Sequence, residues 1–103
     1  MDQWAWVAKD GERMTGVMSL RRDGELDMAF VIPEVRGNGT ASALYETLLE
    51  KARSEGFERL TVHAAEQSKR FLGRRGWTVD RMANLKDAGH SVDLAIMSLP
   101  LKS

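Results

Sequence analysis

The segment that most restricts the fold is "FVIPEVRGNGTASALYETLLEKA", Phe30 to Ala52, where an apolar run leads through a glycine-rich loop into a helical pattern. Pro33 ends the strand, because proline lacks the N–H that a strand ladder needs. Apolar or small residues then recur at spacings of three and four, which predicts a helix; they are Ala41, Leu44, Tyr45, Leu48 and Ala52. A strand, a glycine loop and a helix in this order are typical of phosphate-binding segments.

The rest of the chain predicts an α/β fold with the element order βββαβαββ. Strands are predicted at 4–9, 14–21 and 25–32, separated by two Asp-Gly turns. After the first helix come a strand at 59–64, a short helix at 66–75 and two strands at 77–85 and 91–99, which flank a turn at 86–90. Because no repeat, linker or low-complexity segment interrupts this order, we expect a single domain over residues 1–103.

Composition excludes several classes of function. The formal net charge is zero, from 15 basic and 15 acidic residues, which argues against nucleic-acid binding. The chain has no cysteine and two histidines, so thiolate zinc sites and a cysteine nucleophile are ruled out and no metal is expected. The first residues do not form a signal peptide, and no run approaches the ~20 apolar residues of a membrane helix. We therefore expect a cytoplasmic protein that does not associate with membranes.

Two readings of the glycine loop are open from the residues alone. In the first, backbone N–H groups from Gly37 to Ser42 converge on a diphosphate, favoured by the positive end of the following helix. In the second, Gly37 and Gly39 only provide the dihedral angles of a turn. The loop is not a Walker A motif, because Gly-Lys-Ser/Thr is missing at the helix start. It also departs from the dinucleotide fingerprint, since Ser42 stands where a third Gly or Ala is expected.

The residues around the loop resemble the GNAT superfamily, which transfers acyl groups from acyl-coenzyme A to amines. Its signature Arg/Gln-x-x-Gly-x-Gly/Ala is matched by Arg36, Gly39 and Ala41. "LLEKARSEGFERLTV" fits the family's long helix and next strand, and "FLGRRGWTV" fits its short helix and Gly-Phe turn, with Trp77 in place of Phe. The resemblance spans the whole chain.

The resemblance implies a GNAT-like mixed, mainly antiparallel twisted sheet of about six strands with two helices. It also implies acetyl-coenzyme A as co-substrate, held between the third and fourth strands. The implied coenzyme-binding residues are Phe30, Val31, Arg36, Gly37, Asn38, Gly39, Thr40, Ala41 and Ser42. The expected function is acetyl transfer to an amine of a small molecule or peptide, by direct attack on the thioester.

The chain departs from the family pattern at its start, where the family's first strand and helices have no counterpart. The predicted strand at 4–9 then has an unpaired edge, and Trp4 and Trp6 add apolar surface that a small core would leave exposed. We therefore expect a homodimer. The alternative is a monomer in which both tryptophans fold back onto the sheet.

A second departure concerns the family's general acid, a tyrosine four residues before the Gly-Phe turn. That position is Leu72 here, and an Asn that often precedes the tyrosine by seven residues aligns with Ala65. The family residues that protonate the leaving thiolate are therefore absent. This leaves a non-catalytic acyl-coenzyme A binding or dimerisation module as the alternative function.

The candidates for the general base are Glu25, Asp27 and His63. Glu25 and Asp27 are predicted to share one face of the third strand. His63, whose imidazole is a common general base in enzymes, lies late in the fourth. Each has a simpler reading as a solvated strand residue. The basic residues of the short helix fit either a coenzyme 3′-phosphate contact or a solvated face; they are Lys69, Arg70, Arg74 and Arg75.

Overall fold

The computed structural model describes residues 3–35 and 37–101, and it confirms the predicted mixed α/β class and element order. The elements are β1 (Gln3–Asp10), β2 (Arg13–Arg21), β3 (Glu25–Val31), a 3₁₀ turn (Pro33–Val35), α1 (Thr40–Ser54), β4 (Arg59–Ala64), α2 (Glu66–Gly73), β5 (Thr78–Asp87) and β6 (His90–Pro100). The second helix ends two residues earlier than predicted. The chain divides into two compact units, Met1–Glu58 and Arg59–Ser103.

In the first unit, β2 lies between β1 and β3 and is antiparallel to both. The register places Val7 beside Val17 and Val17 beside Phe30, so these three residues form one row across the strands. In β3 the register shifts, because Met28 pairs with Ser19 whereas Leu26 pairs with Leu20. Asp27 is therefore an extra residue, as in a β-bulge.

Helix α1 covers one face of this three-stranded sheet. Its apolar residues lie at helical spacing and are buried against strands that contribute Met18, Leu20 and Leu26 to the same core. The buried helix residues are Leu44, Tyr45, Leu48, Leu49 and Ala52. Periodicity alone predicted four of these five. Burial of this apolar stripe determines which face of the helix packs on the sheet.

The ring of Trp4 is covered by groups from the same unit. Phe57 contacts it edge-on, with the ring centroids 6.2 Å apart. The Arg22 guanidinium lies 4.4 Å and the Lys51 ammonium 5.0 Å from the Trp4 centroid, within the range of cation–π attraction. The prediction that this small core would leave the ring of Trp4 exposed is therefore wrong, and Trp6 is half-buried as well.

In the second unit, β6 lies between β4 and β5 and is antiparallel to both. Helix α2 packs on β6 and β4. The core of this unit is made by alternating strand residues together with Leu72 and Trp77. The strand residues are Leu60, Val62, Ala64, Ala95 and Met97.

The hairpin between β5 and β6 is tighter than the sequence predicted. Only Ala88 and Gly89 separate the strands, and both have positive φ, +49° and +84°. Positive φ at both positions of a two-residue loop is the type I′ turn, which matches the twist of the strands. Ala88 therefore occupies a left-handed conformation that disfavours a residue with a Cβ.

Replacing Ala88 with asparagine is expected to stabilise the fold by about 0.5–1 kcal/mol, because Asn tolerates the left-handed region and Asn-Gly favours this turn. The measurement is thermal unfolding by circular dichroism, with a rise of about 2–8 °C in Tm. His90→Asn, at an exposed strand position of the same hairpin, serves as the control and should change Tm little. Unchanged or reduced stability in Ala88→Asn would contradict the turn assignment.

Neither helix within residues 3–35 and 37–101 has both the length and the apolar character required to cross a membrane.

Candidate active site

The loop before α1 contains two glycines in the left-handed region. Gly37 has φ +89° and Gly39 has φ +91°, values that L residues with a side chain rarely adopt. A Cβ built on either glycine would meet nothing within 4 Å. The glycines are therefore required by their dihedral angles, and the space beside them is open.

The side chain of Asn38 shapes the loop between these glycines. Its Oδ1 accepts hydrogen bonds from the Thr40 backbone N–H at 3.0 Å and from the Thr40 hydroxyl at 2.6 Å. This is an Asx turn, which fixes the backbone immediately before the helix. The sequence signal is an Asn two residues before the first helical residue, and the sequence reasoning missed this role.

The start of α1 presents backbone donors towards this loop. The i→i−4 ladder begins with the Ala43 N–H, which donates to the Gly39 carbonyl at 2.9 Å. The amides of Thr40, Ala41 and Ser42 precede that bond. Because the Thr40 N–H already donates to Asn38 Oδ1, the first-turn amides that point out of the helix start are those of Ala41 and Ser42. The predicted donor segment is thus at the positive end of a fifteen-residue helix.

The charges around this helix start are compatible with a bound anion. The first turn of α1 contains no acidic residue that would repel one. The nearest upstream carboxylate, Glu34, accepts a hydrogen bond from Arg13 at 2.9 Å. A backbone hydrogen bond and the Arg13 guanidinium together hold the pKa of the Glu34 carboxyl below its usual value. Its negative charge is therefore matched by a cation on β2.

The end of β3 is the second part of the predicted coenzyme site. Phe30 is 49% exposed although it is large and apolar, and Val31 is half-buried. Val31 pairs with Gly16, and the Ile32 N–H donates to the Thr15 carbonyl at 2.9 Å. This strand end is thus held firmly by β2. Arg36, the remaining predicted coenzyme contact, lies outside the described residues.

The two carboxylates proposed as a base lie towards the other end of β3. At roughly 3.3 Å per residue, Glu25 is roughly 17 Å and Asp27 roughly 10 Å along the strand from Phe30. The bulge at Asp27 interrupts strand alternation, so alternation alone does not determine the face of the Asp27 side chain, and the shared face of Glu25 and Asp27 stays a prediction. Glu25 is half-buried and Asp27 is exposed.

His63 and the short helix belong to the second unit. His63 is exposed on β4, where Val62 and Ala64 on either side of it are buried. Leu72, which stands in the position of the family's tyrosine, is 2% exposed and is part of the core. Arg75 donates to the Phe71 carbonyl at 3.2 Å and lies 3.7 Å from the Phe71 ring centroid. Arg75, which lies two residues beyond α2, is thus engaged by Phe71 of that helix.

Ala65, which stands in the position of the family's Asn, is the N-cap residue of α2. Its backbone is extended, with φ −74° and ψ 172°, and no side-chain hydrogen bond caps the helix. Ala65→Asn is expected to stabilise the protein by about 1 kcal/mol, because an Asn oxygen there accepts from a first-turn amide. Urea unfolding measures the gain, with Gln67→Asn inside the same helix as the control. A loss of stability in Ala65→Asn as large as that in Gln67→Asn would exclude capping.

Among the described residues, no three His, Asp or Glu side chains are grouped so that they could hold a metal ion.

Comparison with known proteins gives the following relationships. The family model described as an acetyltransferase (GNAT) domain matches residues 2–93. A GCN5-related N-acetyltransferase from Rhodopseudomonas palustris has a similar structure, with a TM-score of 0.88 and 24% identity over 96% of this chain and 62% of its own. Nourseothricin acetyltransferase gives a TM-score of 0.83 and 21% identity, over 98% and 66% of the two chains. No curated protein matches the chain.

An aminoglycoside 6′-N-acetyltransferase solved in complex with coenzyme A is also similar, with a TM-score of 0.77 and 15% identity over 99% of this chain and 74% of its own. At such identities the structural likeness establishes the fold. The present chain spans 62% and 66% of the first two structures. The family model covers all the elements from β1 to β5 and the first four residues of β6. The chain therefore belongs to the GNAT acetyltransferase family.

Proposed function

We propose that residues 1–103 act as one N-acetyltransferase domain that transfers an acetyl group from acetyl-coenzyme A to an amine of a small molecule or peptide. The observation that carries this proposal is the start of α1, where two left-handed glycines precede a first turn without acidic residues. The diphosphate of the coenzyme would lie on the amides of Gly37 to Ser42. The pantetheine arm would pair with the backbone at Phe30 and Val31.

The proposed reaction is direct attack by the amine. The neutral amine nitrogen forms a bond to the thioester carbonyl carbon, the carbonyl oxygen becomes an oxyanion, and the carbon–sulfur bond then breaks. The amine loses a proton to a base, for which Glu25, Asp27 and His63 remain the candidates, and the leaving thiolate takes up a proton. Backbone N–H groups stabilise the oxyanion without the need for a charged side chain.

The absence of a tyrosine at position 72 lowers the expected rate without abolishing the reaction. A simple thiol has a pKa of about 8.5, so its thiolate is a fair leaving group near neutral pH. Loss of the acid costs on the order of 2 kcal/mol, which corresponds to roughly thirty-fold in rate. The proposal therefore predicts a slow enzyme.

The test is to incubate the protein with acetyl-coenzyme A and a panel of amines, and to follow the release of free thiol. Binding of acetyl-coenzyme A is measured separately by calorimetry. Amine-dependent thiol release supports the transferase. Binding without turnover on any amine supports instead a non-catalytic acyl-coenzyme A binding module, which the apolar, buried Leu72 favours. Absence of binding would exclude both.

We also propose that the protein forms a homodimer. Among the described residues of the first unit, β1 pairs with β2 alone, so one edge of β1 is open within that unit. Val7 on this strand is 48% exposed and continues an apolar row with Val17 and Phe30. A second copy that covered this row would bury apolar surface.

Sedimentation of the wild-type protein is expected to give twice the 11.5 kDa of one chain. Val7→Lys, which places a charge in the apolar row, should give a monomer, because desolvating an unpaired ammonium opposes association. Lys9→Ala, at an exposed position of the same strand, is the control and should remain dimeric. A wild-type protein that sediments as a monomer at micromolar concentration would exclude the dimer.

A further inference from the structure

Position 16 requires a glycine because there is no room for a side chain, and not because of its dihedral angles. It lies within β2, is buried, and does not adopt positive φ. A Cβ built at this position would lie 3.1 Å from Leu44 Cδ1, 3.2 Å from the Phe30 carbonyl oxygen and 3.2 Å from Val31 Cγ2. Contacts this close are rare for real Cβ atoms, so a side chain at position 16 would force its neighbours to move.

Two of the three neighbours belong to the proposed coenzyme site, and the third belongs to the helix whose start is the other part of that site. Phe30 and Val31 form the strand end at which the pantetheine arm would pair. Leu44 lies about one turn beyond Thr40, the first residue of the helix whose start would hold the diphosphate. Gly16 is therefore the point where β2 lies against both the strand end and the helix that carries the other part of the site.

We infer that Gly16 is a positioning residue that sets the spacing between the diphosphate-binding helix start and the pantetheine-binding strand end. This inference rests on the proposed function. The Leu44 side chain can rotate away from an added methyl group, whereas the Phe30 carbonyl is backbone and moves only if the strand moves. An alanine at position 16 would thus shift the strand end relative to the helix start by a few tenths of an ångström.

The affinity of a ligand that spans both parts depends on this shift, whereas the affinity of a ligand that occupies one part does not. Acetyl-coenzyme A carries the diphosphate and the pantetheine arm, and 3′-phosphoadenosine 5′-diphosphate carries the diphosphate without the arm. Linking two binding groups raises affinity only when the distance between them matches the distance between their sites. The ratio of the two affinities therefore reports the spacing, and a general loss of folded protein lowers both affinities together.

The experiment measures the Kd of both ligands by calorimetry for the wild type and for Gly16→Ala. We expect the Kd of acetyl-coenzyme A to rise at least ten-fold in Gly16→Ala, and the Kd of the diphosphate fragment to change less than two-fold. Glu50→Gly is the matched control, because it destabilises α1 at an exposed position without crowding the site. In this control the ratio of the two affinities should equal that of the wild type.

The outcomes separate the inference from the function on which it rests. If the wild type binds neither ligand, the proposed function fails and this inference fails with it. If the wild type binds acetyl-coenzyme A but Gly16→Ala keeps the wild-type affinity ratio, the positioning role alone is overturned. Should Gly16→Ala be partly unfolded, the titrations are repeated in concentrated sucrose, which favours the folded state by exclusion from the protein surface. A wild-type affinity ratio measured in sucrose would likewise overturn the positioning role.

Discussion

Ala41→Asp is expected to weaken acetyl-coenzyme A binding on the order of 1,000-fold while leaving the fold intact. A carboxylate about 4 Å from a phosphate charge repels it by about 4 kcal/mol at an effective dielectric constant of 20, and 1.4 kcal/mol corresponds to ten-fold in affinity. The same aspartate lies in the first turn of α1, where the helix dipole stabilises negative charge by about 0.3–1 kcal/mol. Binding and stability should therefore change in opposite directions.

Calorimetry of acetyl-coenzyme A binding and thermal unfolding together test this expectation. Thr47→Asp is the matched control, because it adds the same charge at an exposed position of the same helix, about 9 Å further along its axis. We expect its Kd to stay within about three-fold of the wild type, since salt screens charges at larger separations. Near wild-type affinity in Ala41→Asp would show that the diphosphate does not lie at this helix start.

Leu48→Ala is expected to produce the largest loss of stability. Leu48 is 0% exposed and lies at the centre of the buried stripe of α1. Removing a buried leucine side chain costs about 3 kcal/mol or more, because the transfer free energy is lost and a cavity remains. A domain of this size has a total stability of only about 5–10 kcal/mol.

Urea unfolding should therefore show a midpoint reduced by at least a third, and thermal unfolding a Tm lower by about 12–24 °C. Glu50→Ala, at an exposed position two residues along the same helix, should stay within about 0.5 kcal/mol of the wild type. A cost below about 1 kcal/mol for Leu48→Ala would mean that α1 is not packed on the sheet as described.

The segments with strong periodicity were predictable from the sequence. The spacing of Leu44, Leu48 and Ala52 defines a helical stripe, and the structure buries all three. The left-handed conformations of Gly37 and Gly39 agree with the prediction of a glycine-dependent loop. In both cases the determinant is local, because helix periodicity and backbone dihedral preference act over a few residues.

Features that depend on pairing between distant residues were not predictable. The extra residue at Asp27 follows from the register of β3 against β2, and nothing in the alternation of polar and apolar residues marks it. The Arg13–Glu34 ion pair joins residues that are far apart in sequence. The burial of Leu72 likewise depends on how α2 packs on its strands. Such contacts are fixed by tertiary structure, which single-sequence patterns do not encode.

The tight turn at Ala88 and Gly89 has a consequence for the order of folding in the second unit. Strands β5 and β6 pair through a two-residue loop, whereas Arg59 in β4 pairs with Pro100 at the far end of β6. Closing a short loop loses little chain entropy, so local pairings form quickly and distant ones later. The hairpin should therefore form ahead of the transition state, and β4 should join it afterwards.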